Sequence, residues 1–236
     1  YAGDREDPEA LIETARETNA KLVYFANPDN PMGSWHDAAT VQAMIDALPE
    51  GAVLALDEAY SDTAPAEAIP AIATDHPRVI RLRTFSKAYG LAGLRVGYGI
   101  AAADFAAAFN RIRNHFGVGR LAQAGARAAL ADQAHLKGTV ERIAAARERI
   151  GEIARANGLT PLPSATNFVT IDCGADGFFA RTVLQGLVAR GVFVRMPFTA
   201  PQDRCIRVSC GTAADIDAFA EALPGALDEA RGRRTA

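Results

Sequence analysis

The sequence predicts an α/β protein: three layers built on a mostly parallel sheet, followed by a smaller α+β domain. Three observations point there. Over residues 1–100, short and continuously apolar runs alternate with amphipathic segments of helical length, the pattern of buried parallel strands covered on both faces. Clusters of polar and turn-forming residues fall directly after those runs, where open α/β sheets collect ligands. After a long helical stretch ending near Ala156 the rhythm of strands and helices changes, which marks a second domain.

Each element has a local reason. Asp7-Pro8 opens a helix through about Asn19, with Asp7 as N-cap and Pro8 at the first helical position. Lys21 to Ala26 is a short apolar strand, and Asn27 to Gly33 is dense turn chemistry. His36 to Leu48 is an amphipathic helix. Ala52 to Leu56 is a strand ending in Asp57-Glu58, and Arg78 to Arg83 and Leu94 to Ile100 are further strands. Ala101 to about Ala156 reads as almost all helix, with Ala134 to Ala156 one helix of about 35 Å at the usual rise per residue. Asn167 to Ile171, Val192 to Arg195 and Cys205 to Cys210 read as strands. Gly177 to Arg190 and Thr212 to Leu223 read as helices, the second stopped by Pro224-Gly225. Arg231, Arg233 and Arg234 form a basic tail expected to be solvated and frayed.

Composition excludes several classes. Of 236 residues, 49% are hydrophobic and 22% charged, the balance of a soluble globular protein. The net charge is −3, which argues against nucleic-acid binding by bulk positive charge. No apolar run reaches the roughly 18 residues of a membrane span. The three cysteines, Cys173, Cys205 and Cys210, form no CxxC, so a reduced, cytoplasmic setting is expected. His36, His76, His115 and His135 have no metal-ligand spacing, and no metal is expected. Gly90 and Gly93 do not complete a GxGxxG dinucleotide fingerprint.

The chemistry-bearing clusters are Asn30-Pro31-Met32-Gly33, Asp57-Glu58-Ala59-Tyr60, Thr84-Phe85-Ser86-Lys87 and Gly93-Leu94-Arg95-Val96-Gly97-Tyr98. Lys87 is either an ordinary surface lysine or an amine placed to attack a carbonyl. With Arg95, the hydroxyls of Thr84 and Ser86 make a candidate phosphate cup, since Arg matches phosphate geometry. An amine beside a phosphate cup suggests a phosphorylated aldehyde, and pyridoxal 5'-phosphate is the common one, bound by Lys as a Schiff base. Asp57 is either a cap after a strand or the carboxylate that keeps the cofactor's pyridine nitrogen protonated. Tyr60 and Asn30 are candidates to reach the ring's phenolic oxygen, and Ala59 is small enough for a flat ring to lie against it. Tyr60 also reads as a core aromatic with a satisfied hydroxyl. In the strand around Arg207, Cys205, Arg207 and Ser209 share one face, and an Arg in an apolar strand wants an anion or an ion-pair partner. Arg195 is a weaker candidate for a second substrate contact.

Asn-Pro-x-Asn-Pro-x-Gly, Asp-Glu-Ala-Tyr and Thr-x-Ser-Lys-x-x-Gly-Leu-x-Gly-x-Arg-x-Gly-Tyr occur here in that order. Together they resemble the class I/II aminotransferases of fold-type I, most closely the histidinol-phosphate aminotransferase branch. The resemblance implies a large cofactor domain, incomplete here, of which residues 1–140 are the C-terminal part, with 141–236 the small domain. It makes Lys87 the Schiff-base lysine and Asp57 the partner of the pyridine nitrogen. It assigns Asn30 and Tyr60 to the phenolic oxygen, and Thr84, Ser86 and Arg95 to the phosphate. Asn167 and Arg207 match the small domain's pattern, in which the arginine grips the substrate carboxylate. The expected reaction moves an amino group from an amino acid, or an amino-alcohol phosphate such as histidinol phosphate, to a 2-oxo acid. A decarboxylase of the same fold, of the phosphothreonine type, and a non-catalytic cofactor-binding module are the alternatives. Members of the family are longer at the N-terminus, so the resemblance implies a piece of a longer chain and a homodimer. Met32 stands where the family usually has Thr.

Overall fold

The computed structural model describes residues 1–71 and 75–235. It divides into two compact units: Tyr1–Asp29 with Trp35–Val140, and Asn30–Ser34 with the chain from Glu141 onward.

The first unit holds a four-stranded sheet in the order β1 (Leu22–Ala26), β2 (Val53–Asp57), β3 (Val79–Thr84), β4 (Gly97–Ile100). The first three strands are parallel and β4 runs antiparallel to β3. Helix α1 (Pro8–Glu17) is capped by Asp7, whose carboxylate accepts from the Ala10 amide at 3.0 Å. Asp37 caps α2 (Ala38–Asp46) through the Thr40 amide at 2.8 Å. Ile12 and Ala15 from α1 and Val41, Met44 and Ile45 from α2 pack on Val23, Phe25, Leu54 and Leu56, all on one face of the sheet. On the opposite face of β1, Leu22 and Tyr24 remain 63% and 52% exposed. Two 3-10 turns, Ser61–Thr63 and Ala66–Ala68, lie between β2 and β3.

The strand expected from Leu94 is shorter. Ala92–Leu94 forms a 3-10 turn and Arg95 takes a left-handed conformation (φ 51°), so pairing starts only at Gly97. A Cβ on Gly97 would stand 2.7 Å from the Arg83 carbonyl oxygen, so the antiparallel approach of β4 requires glycine. The helical stretch after Ala101 is also broken. It consists of α3 (Ala103–Ala108), α4 (Arg120–Ala131) and α5 (Gln133–Ala156). Asn114 interrupts it, its side chain accepting from the Phe116 amide at 3.0 Å and its carbonyl from Gly117 at 3.2 Å.

In the second unit, β5 (Thr160–Pro161), β6 (Phe168–Asp172) and β7 (Cys205–Ser209) form an antiparallel sheet in that order. Helices α6 (Gly177–Ala189) and α7 (Ala213–Thr235) pack Val183, Leu187, Phe219, Leu223 and Leu227 into one core with Ile171 and Ile206. Residues 30–34 join this unit through the Thr170 hydroxyl, which donates to the Pro31 carbonyl at 2.6 Å, and the Ala165 amide, which donates to Gly33 at 2.9 Å.

Two expectations fail here. Val192 to Arg195 is not a strand. Gly191 (φ 81°) and the Val192 amide, bonded to the Leu187 carbonyl at 2.9 Å, are used to close α6, and only Arg195 bridges to Arg207. Helix α7 is not stopped by Pro224 but carries it as an exposed interior residue. The tail is therefore helical rather than frayed as far as Thr235: Arg231 lies 3.7 Å from Asp228, while the Arg234 side chain lies outside the described residues. Among the described residues no helix is long and apolar enough to cross a membrane.

Candidate active site

In the first unit the expected residues gather at the carboxyl ends of β2 and β3. Asp57 is the last residue of β2, and its position is fixed from both sides of its carboxylate. Oδ1 accepts from the Ala59 amide at 2.9 Å, a turn made by the chain leaving the strand. Oδ2 accepts from the Tyr24 hydroxyl at 2.6 Å. Asp57 thus caps nothing: the short helix that follows begins at Ser61, and its N-cap Tyr60 makes no side-chain cap bond.

Glu58, the next residue, is 1% exposed and anchors the same stretch from below. Its Oε1 accepts from Arg81 Nε at 3.0 Å and its Oε2 from Arg83 Nε at 2.9 Å. Arg81, itself 3% exposed, spends its remaining donors on the Pro70 and Ala71 carbonyls at 3.1 and 2.9 Å. A buried guanidinium and a buried carboxylate are tolerable only when saturated in this way. The sequence reading missed this cluster; arginines at alternate positions of an apolar strand, Arg81 and Arg83, were its visible signal.

Tyr60 is buried, and the Lys87 ammonium sits 5.0 Å from the centre of its ring. That contact holds a half-buried lysine against an electron-rich face, an arrangement unlike a freely solvated amine. Lys87 is set by the turn after β3, in which the Gly90 amide donates to the Lys87 carbonyl at 2.9 Å and Leu91 to Phe85 at 2.9 Å. Gly90 takes φ 72°, a value that favours glycine.

Thr84 and Ser86 flank this turn, with Thr84 Oγ1 accepting from the Ser86 amide at 3.0 Å. The Phe85 amide donates to the Val96 carbonyl at 3.2 Å, so the Thr84–Ser86 and Arg95–Gly97 segments run side by side. The Arg95 guanidinium itself is exposed and donates to the Ala92 carbonyl at 2.8 Å. The structure therefore gathers the backbone of the expected phosphate cup, with the arginine head turned to its own 3-10 turn.

Asn30, Asn167, Arg195 and Arg207 fall in the second unit. Arg207 lies over the Phe168 ring at 4.7 Å and donates through Nη1 to the Asn30 side-chain oxygen. Its backbone exchanges both hydrogen bonds with Arg195, at 3.1 and 2.7 Å, which puts the two arginines on one face as direct cross-strand partners. Arg195 is exposed. The Asn167 carbonyl accepts from the Cys210 amide at 2.9 Å, which places it at the end of the β6–β7 ladder. Cys173 and Cys210 are poor nucleophiles, burial pushing both thiols up to about 12.

Residues 1–223 match the family model for "Aminotransferase class I and II". A histidinol-phosphate aminotransferase from Geobacillus thermodenitrificans is 36% identical over 228 residues, which are 95% of this chain and 61% of that protein. Histidinol-phosphate aminotransferase 2 from Ralstonia nicotianae is 40% identical over 215 residues, 90% of this chain and 58% of that one. Among solved structures, the histidinol-phosphate aminotransferase from Sinorhizobium meliloti, in complex with pyridoxal-5'-phosphate, superposes with a TM-score of 0.95 at 53% identity. That alignment covers 100% of this chain and 64% of the other. The chain thus spans about three fifths of the length of these relatives. A strand-end lysine, a fixed carboxylate and the matched model, which reaches from Tyr1 into α7, lead to one assignment: the chain belongs to the class I and II aminotransferase family.

Proposed function

We propose that this chain is the larger part of a pyridoxal-phosphate-dependent aminotransferase acting on an amino acid or an amino-alcohol phosphate such as histidinol phosphate, with a 2-oxo acid as acceptor. Residues 1–140 belong to its cofactor domain and 141–236 to its small domain. The observation that supports this reading most is the placement of Asp57, Tyr60 and Lys87 together at the carboxyl ends of adjacent parallel strands. The likeness to the Sinorhizobium meliloti structure at 53% identity supports the histidinol-phosphate branch.

The donor set fits the cofactor. An aldehyde, a pyridine nitrogen, a phenolic oxygen and a phosphate need an amine, an anion, hydroxyl or amide donors, and a cationic cup. Within the first unit Lys87, Asp57, Tyr60, and Thr84, Ser86 and Arg95 supply these, and Ala59 leaves room for a flat ring. Pyridoxal phosphate, when bound, supplies an electron sink for charge at the donor's α-carbon. Asp57 keeps an anion where the ring nitrogen must hold its proton. Lys87 carries the cofactor and then moves the proton at the α-carbon as general base and acid. Arg207, with Arg195 as its cross-strand partner, offers two guanidinium groups to an anionic substrate group, carboxylate or phosphate, and Asn167 borders them. A homodimer completes the enzyme.

Borohydride reduction of the coloured protein tests this. The label is expected on the peptide containing Lys87, and Lys87→Ala is expected to lose both colour and turnover. A label on another lysine, with a coloured Lys87→Ala protein, would remove the assignment.

A further inference from the structure

We propose that Tyr24 is a positioning residue for Asp57, holding its carboxylate in the orientation in which it meets the cofactor. The inference rests on the reading of Asp57 given above and adds a residue to it.

The geometry starts with strand register. Tyr24 of β1 stands opposite Ala55 of β2, so Asp57 is its diagonal neighbour on the same face. A phenol spans that diagonal, and Tyr24 donates to Oδ2 at 2.6 Å, the length of a charge-assisted O–H···O⁻ bond. Oδ1 is already taken by the Ala59 amide at 2.9 Å. Two donors on separate backbone segments fix the plane of the carboxylate, because rotating it breaks one bond or the other.

Within this chain Val23 and Phe25 are the ones that enter the core, while Tyr24 stands on the other face of β1. An aromatic placed there solely to cover the sheet has no use for a hydroxyl. Here the hydroxyl is engaged with the Asp57 carboxylate at the carboxyl end of β2. Burial and the Asp57 charge push the phenol's ionisation above the ordinary tyrosine range, so it stays a donor at working pH.

The donor on Oδ2, with the Ala59 amide on Oδ1, keeps the carboxylate from swinging away when the cofactor is absent. The apoprotein is thereby preorganised, and cofactor binding loses less affinity to side-chain ordering.

The test uses the full-length protein that carries this chain, stripped of cofactor and titrated with pyridoxal phosphate. Tyr24→Phe keeps the ring and removes one oxygen, so the fold is retained. It is expected to weaken cofactor binding roughly five- to tenfold, as for loss of one hydrogen bond to a charged group. In an Asp57→Asn background the same change is expected to have less than about a twofold effect, because its route of action is gone. Equal losses in both backgrounds, or no loss in either, would overturn the proposal.

A second measurement needs no cofactor. Tyrosinate absorbance is followed against pH. Tyr24→Phe identifies the tyrosine by removing it from the titration, and Asp57→Asn is expected to lower the pH at which that tyrosine ionises. If Asp57→Asn leaves its ionisation unchanged, the contact is absent and the proposal fails, while the reading of Asp57 stands. A wild-type protein that binds no pyridoxal phosphate overturns that reading, and this proposal with it.

Discussion

Glu58 carries more of the site's rigidity than its neighbour Asp57, although only Asp57 faces outward. Its carboxylate pairs with two guanidinium groups, those of Arg81 and Arg83, in a nearly dry pocket. Glu58→Gln leaves Arg81 buried with an uncompensated charge, and such breaks cost about 3–5 kcal/mol. Urea unfolding of the variant is expected to show a loss of that size, with Asp57 displaced as a consequence. Glu6 makes a different prediction. Burial, with Asp29 adding a second negative charge, pushes its carboxyl from 4.5 up to about 7, and its Oε2 accepts from the Ala26 amide at 3.1 Å. The folded protein holds this proton where the unfolded chain has released it. The stabilisation is therefore complete below pH 4.5 and fades as pH rises to about 7. Glu6→Gln is expected to flatten that slope and to gain about 1 kcal/mol at pH 8, the partly exposed setting having been allowed for. Melting temperature against pH for the two proteins checks the sign.

At the level of elements, α7 offers the sharpest case. Pro224 sits at an exposed interior position of a helix running from Ala213 to Thr235. It removes one backbone bond and crowds the preceding turn, at a cost of about 3 kcal/mol in a free helix. Pro224→Ala is expected to raise stability by about 1–3 kcal/mol, measured by thermal unfolding. The stop signal at Pro224-Gly225 was legible but overruled: Leu223, Ala226, Leu227 and Ala230 are all buried against the same core, and tertiary packing outweighs a local breaker. Helix α1 shows the opposite, since Asp7 and Pro8 act through contacts within four residues and could be read directly. Val192 to Arg195 failed because a closing turn of α6 and a strand use the same β-branched residues. The candidate site divides along the same line. Lys87, Asp57 and Tyr60 could be picked out as candidates because each ends a strand or follows one within a few residues. The contact of Tyr24 with Asp57 could not, because it exists only through the register of β1 on β2.

For the whole molecule, the sheet of the first unit matters most. Its outer strands are β1 and β4, and Leu22, Tyr24 and Tyr98 beside those edges are 63%, 52% and 37% exposed. Unpaired strand edges with apolar neighbours template further pairing. Residues 1–236 expressed alone are expected to associate with rising concentration and to bind a hydrophobic dye. Light scattering over a dilution series checks this, and a concentration-independent monomer would contradict it.

The five residues 30–34 have a consequence for modularity. They lie more than a hundred positions upstream of the unit they complete, where Pro31 and Gly33 satisfy Thr170 and Ala165. No single cut in the coding sequence separates the two units. A C-terminal piece from Glu141 would lack the Pro31 and Gly33 carbonyls that the Thr170 hydroxyl and the Ala165 amide bond, and the Asn30 oxygen that Arg207 holds. The second unit is thus not a cassette that recombination can carry to another gene, and an insertion near Asp29 or Trp35 would be felt in both halves at once.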